Sequence, residues 1–114
     1  MTSNETRIAD EKTVARKLVK LAIDTGYSVS VYDGQEWTAA SQDAKKINSD
    51  LHTMDEDEIC LTDSKGNHFV TFYLVYGNSG SEVIADYRAK SLDDIEAWLK
   101  PVTDYCDKLA DKGR

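Results

Sequence analysis

Residues 53–63 read TMDEDEICLTD, with Asp55, Glu56, Asp57 and Glu58 consecutive. Neighbouring carboxylates can hold a hard cation, share a proton in acid–base chemistry, or present negative charge to a basic partner. Each role sets its own spacing. A calcium loop of the EF-hand kind takes oxygen ligands at its first, third and fifth positions, a glycine at the sixth and a glutamate at the twelfth. Counted from Asp55, the last three fall on Ile59, Cys60 and Gly66, so the pattern fails. His52 is the one histidine nearby in sequence, too little for a transition-metal site. Four adjacent acids joining a helix to a strand point in different directions. That leaves two readings, a solvated and self-repelling turn or an acidic patch that faces a protein.

Other chemistries find less support. His52, His68, Cys60 and Cys106 lie in no nucleophile context, and no G-x-S-x-G sequence occurs. In YGNSGSE, Gly77 and Gly80 are three apart, no lysine follows, and a strand comes next, so neither phosphate-loop pattern is met. The sequence therefore assigns no catalytic residue, no metal ligand and no cofactor. The side chains suited to function are contact makers: Asp55, Glu56, Asp57 and Glu58, joined by Tyr32 and Trp37. Tyrosine and tryptophan are favoured at interfaces because they are large, stiff and able to hydrogen-bond; the other reading of Tyr32 and Trp37 is that they finish the core or cover the sheet edge.

Charge points the same way. The chain carries a net −7, which disfavours direct binding to nucleic acid, where affinity comes from Lys and Arg neutralising phosphates. Arg7, Lys12, Arg16, Lys17 and Lys20 are a basic exception, read as the solvated face of a helix. No stretch approaches the roughly 18 apolar residues of a membrane span. The first dozen residues show no apolar stretch behind a basic start, so a secretory signal is not expected. Two cysteines make no disulfide framework, and reduced thiols inside a cell are the expectation.

The elements that must position these residues follow from periodicity. Val14, Leu18, Leu21 and Ala22, widened by Ala15, Val19 and Ile23, give a helix from about Glu5 or Asp10 to Thr25, with Gly26 just beyond. Tyr27, Val29 and Val31 alternate with Ser28, Ser30 and Tyr32 in a half-buried strand. Asp33-Gly34 signals a tight hairpin into a second strand over 35–39, anchored by Trp37. A short helix over 41–52, capped by Ser41, precedes the acidic residues. Three strands follow, EICLTD, HFVTFYLVY and EVIADYR. Leu92, Ile95, Trp98, Leu99, Val102, Cys106 and Leu109 then mark a last helix, expected to kink or break at Pro101. The prediction is a single α+β domain over 1–114, an antiparallel sheet of about five strands with packed helices, in the order α-β-β-α-β-β-β-α. The strand over 68–76 is apolar on both faces, Phe69, Thr71, Tyr73 and Val75 on one, Val70, Phe72, Leu74 and Tyr76 on the other. It should be central and covered on both sides, by helices on opposite faces or by a second copy in a homodimer.

Three spaced segments, GYSVSVYDGQEWT, TMDEDEICLTDSKGN and FYLVYGNSGSEVIADY, carry a resemblance over Gly26 to Tyr87. They resemble small proteins encoded by bacteriophages and prophages, which share a GY-strand-DGEEW hairpin, a DEDxL turn-strand segment and a LVYGNxGxxVIxDY strand pair. The resemblance brings no activity and no site residues with it. It implies an accessory protein made in the cytoplasm of a bacterial host. The expectation is a small acidic protein that binds a host or phage protein to regulate or inhibit it, without catalysis. Two alternatives stay open: an acidic mimic of nucleic acid that blocks a DNA- or RNA-binding protein, and a small enzyme or ligand-binding domain whose site no motif reveals.

Overall fold

The computed structural model describes residues 3–32, 34–51, 55–77 and 82–112, with the backbone alone for Ser3, Asn4 and Lys112. Along the chain come helix α1 (Ser3–Asp24), strand β1 (Ser28–Tyr32), helix α2 (Ala44–Asp50), strands β2 (Glu56–Thr62), β3 (His68–Val75) and β4 (Ile84–Arg88), and helix α3 (Leu92–Lys112). The strands form an antiparallel sheet in sequence order, β1-β2-β3-β4. This is an α+β fold, with four strands among the described residues where about five were expected. No helix among the described residues is long and apolar enough to cross a membrane.

The ends of the elements follow from their residues. Gly26 takes φ 94° just past α1, a left-handed conformation that suits glycine. Its N–H donates to Ile23 and that of Tyr27 to Ala22, the paired bonds of a Schellman stop. Between β2 and β3, Asp63 Oδ1 accepts from the amides of Lys65 and Asn67. These bonds, that of Asn67 first, hold its carboxyl below the ordinary value. Helix α2 begins later than expected. Ser41 is held in a backbone bridge to Val29, and Asp43 caps instead, accepting from the amides of Lys45 and Lys46. Asp43→Ala is expected to lower stability by about 1 kcal/mol, the usual worth of an N-cap, in urea unfolding. His52, Asp33 and the tip of the β3–β4 connection lie outside the described residues.

The strand expected over 35–39 does not form. The return segment touches β1 at Tyr32↔Trp37 and again at Val29↔Ser41, spanning three steps on β1 with four on its own side. That one-residue slip breaks the ladder, and Thr38 Oγ1 takes over as acceptor for the Val31 amide. The segment still lies along the outer edge of β1. The break expected at Pro101 is also absent, for α3 runs through it. Proline at 101 removes the donor for the carbonyl of Ala97; both residues lie on the exposed side, where water can replace the lost partner.

The helices gather on one face of the sheet. Val14, Leu18, Val19 and Ala22 from α1, Ile47 from α2, and Ile95, Leu99 and Val102 from α3 share one core with Val29, Val31, Ile59, Leu61, Val70, Phe72 and Leu74. The expectation that α1 and α3 cover β3 from opposite sides is therefore corrected, since both lie on the same face. Alternate residues of β3 are only half-buried. A bulge at Leu61/Thr62 explains part of the misreading, since it pairs His68 with Thr62 and shifts Phe69 out of the alternation. Phe69 joins the helix side, stacked on Tyr27 at 4.2 Å and edge-on to Trp98 at 5.4 Å. The open face of β3 is then His68, Thr71, Tyr73 and Val75, polar in three of four positions.

Candidate functional site

The register sets out the open face in rows across the strands. Ser30, Cys60, Thr71 and Arg88 make one row, and Tyr32, Glu58, Tyr73 and Asp86 make the next. Glu56 lies beyond, two residues along β2 from Glu58. Its carboxylate accepts a hydrogen bond from the Tyr73 hydroxyl. That bond, more than burial, holds the Tyr73 phenol above its ordinary value. Trp37, brought over by the return segment, lies 5.3 Å from Tyr32 between ring centroids and is 44% exposed. Tyr32 is fixed in turn by donating to the carbonyl of Gly34 at 3.1 Å.

Tyr73 and Glu58 line two shallow depressions on this face. One of about 250 Å³ also involves Tyr32, Gly34 and Glu56. The other, of about 230 Å³, adds Thr71, Asp86 and Arg88. A wall of aromatic ring with carboxylates at its sides suits a lysine or arginine side chain, whose stem packs on the ring while its head pairs with the acid.

Of the six residues singled out from sequence, four come together here: Tyr32, Trp37, Glu56 and Glu58. The other two do not. Asp57 belongs to β2, and the strand's alternation turns it to the helix side, where it is 2% exposed. Its Oδ2 accepts from the Tyr76 hydroxyl at 2.6 Å. Burial first, and then this bond, push the Tyr76 phenol far above its ordinary range. Asp55 is exposed, but it borders a separate cleft with Arg7, Ile8, Glu11 and Lys12. The solvated-turn reading of the acidic run is thus corrected: Glu56, Asp57 and Glu58 are strand residues, and only the outer two of them face water.

Glu11 escaped the sequence reading. It is 3% exposed and accepts from the Gly77 amide at 2.6 Å, with Arg7 3.8 Å away, tying α1 to the end of β3. Its signal was there, because Glu11 precedes Ala15 and Leu18 on the buried stripe of α1. Among the described residues no group of three or more His, Cys, Asp or Glu could hold a metal ion. Burial pushes the Cys106 thiol up, away from the thiolate a nucleophile requires. No protein-family model, curated protein or solved structure matches the chain.

Proposed function

We propose that this chain is a phage or prophage accessory protein that works in a bacterial cytoplasm by binding a basic segment of a host or phage protein, without catalysis. The observation that carries the reading is the open sheet face, where Tyr32, Trp37 and Tyr73 alternate with Glu56 and Glu58 and, among the described residues, no helix intervenes. An exposed Trp37 and half-buried Tyr32 and Tyr73 beside carboxylates provide the kind of anchors that dominate many interfaces, and the net −7 steers a cationic partner towards them. An arginine laid over Tyr73 would gain about 0.5–1 kcal/mol from the ring alone at an exposed site, before any ion pair. The acids of this face are interleaved with Thr71, Tyr73 and Arg88, which suits side-chain recognition better than imitation of a phosphate row.

The test is affinity capture from a bacterial lysate at low salt, followed by mass spectrometry. Wild-type protein and a Glu56→Lys/Glu58→Lys variant of matched thermal stability serve as baits. The reading expects a retained protein with a basic surface, its recovery falling at least about tenfold on the variant, the equivalent of about 1.4 kcal/mol. Trp37→Ala should weaken the same capture. Equal recovery on both baits, or none on the wild type, would remove the proposal.

A further inference from the structure

The two edges of the sheet are treated differently. At β1 the return segment covers the outer edge, with the Val29 and Ser41 amides donating to each other's carbonyls at 2.8 and 3.0 Å. At β4 the inner side pairs with β3, and among the described residues no strand pairs with the outer side. The Tyr87 N–H donates at 2.8 Å to Asp86 Oδ1, its own neighbour's side chain. A ladder amide is thus occupied by a side-chain carboxylate of its own strand, which another acceptor can displace. Beside this edge, between β4 and α3, runs a groove of about 310 Å³ lined by Ile84, Tyr87, Leu99 and Cys106, with Glu96, Thr103 and Asp107 from α3 at its side. An unpaired strand flanked by an apolar groove is a template for a further strand.

We propose that the strand added there is β4 of a second copy, antiparallel, about a two-fold axis at Tyr87. The charges on β4 select this occupant and this register. Asp86 and Arg88 are two residues apart and share the open face. In an antiparallel pair centred on residue 87, position 86 of each copy lies opposite position 88 of the other. Asp86 then faces Arg88 of the second copy, and Arg88 faces its Asp86, so both cross-strand pairs are attractive. A two-fold contact must be self-complementary in this sense. Displaced from the Tyr87 amide, Asp86 gains a cation, and the amide gains the Tyr87 carbonyl of the second copy. The sheet becomes eight strands wide, with both open faces on the same side. The inference does not depend on what those faces bind.

Charge exchange tests it. Sedimentation of the full chain, from low to high micromolar, should show the mass of two chains at the upper end. Asp86→Arg places two cations opposite two cations, and Arg88→Asp does the same with anions. Each should weaken self-association at least about tenfold, while circular dichroism shows an unchanged fold. Mixed in equal amounts, the two variants should associate with each other, because every pair across the two-fold is again opposite in sign. Should either variant fold poorly, the Asp86→Arg/Arg88→Asp exchange carries the test, and it should dimerise as the wild type does. A single-chain mass at every concentration, dimers indifferent to both reversals, or a mixture or exchanged variant that stays monomeric would each overturn the proposal.

Discussion

Phe72→Ala is expected to lower stability by about 3–5 kcal/mol, and Thr71→Ala, one residue earlier, by under about 1 kcal/mol. Phe72 is fully buried at the centre of the helix-covered face, opposite Ile59 and near the rings of Tyr87 and Trp98, with centroids at 5.8 and 6.2 Å. Alanine there loses the transfer free energy of the ring and leaves a void among neighbours held by the sheet ladder. Thr71 stands on the open face, half-buried between Cys60 and Arg88. Domains of this size hold about 5–15 kcal/mol in total, so the first substitution removes a large fraction of it. Thermal unfolding should show a drop of about 10–20 °C for Phe72→Ala and a few degrees at most for Thr71→Ala. Losses of similar size at both positions would mean that the second face of β3 is covered as well.

The second large effect is expected at the buried Asp57–Tyr76 pair. Tyr76→Phe deprives a 2% exposed carboxylate of a hydrogen-bond donor, and should cost about 1.5–3 kcal/mol near neutral pH, the range for bonds to charged groups. It should also change the response to alkali. The Tyr76 phenol has its pKa raised in the fold from the ordinary 10.0, by burial and then by Asp57. Its contribution is therefore complete below pH 10. Above that pH the unfolded chain releases the proton while the folded chain keeps it, so stability falls as pH rises. One such group gives a slope of up to about 1.4 kcal/mol per pH unit. Urea midpoints between pH 9 and 12 should fall less steeply for Tyr76→Phe than for the wild type. Parallel slopes would show that the phenol titrates alike in both states.

Much of this architecture could be read from residues whose local preference and tertiary role agree. The α1 stripe with Gly26 behind it, the alternation in β1 and the helical repeat of α3 each report a buried face directly. The misreadings share a physical origin, in features that depend on how two segments lie against each other. One extra residue between Trp37 and Ser41 turns a hairpin strand into a broken edge cover. The bulge opposite Phe69 moves that ring across the sheet, and with Phe69 counted on the open face, β3 looked apolar on both sides. Pro101 signals a break only if its face is buried, which depends on where α3 sits.

The candidate site divides along the same line. Tyr32, Trp37, Glu56 and Glu58 were identifiable by type, and the cross-strand register that joins them to Tyr73 was not. Asp57 was taken as one acid in a solvated run, although it shares parity with Ile59 and Leu61 and so had to turn inward. Glu11 was not singled out at all, although acids buried on a helix stripe are uncommon. Its position on the apolar stripe was the informative fact, and its partner at Gly77 is 66 residues away.

The most direct examination of the open face as the working surface is hydroxyl-radical footprinting of the free chain and of the chain bound to its captured partner. Tyr32, Trp37 and Tyr73 should be oxidised in the free protein and protected in the complex. Ile8 and Leu92, exposed at 43% and 53% outside the sheet, should be modified equally in both. Protection confined to Ile8 or Leu92, or a Tyr73 as unreactive as Phe72 in the free chain, would contradict it.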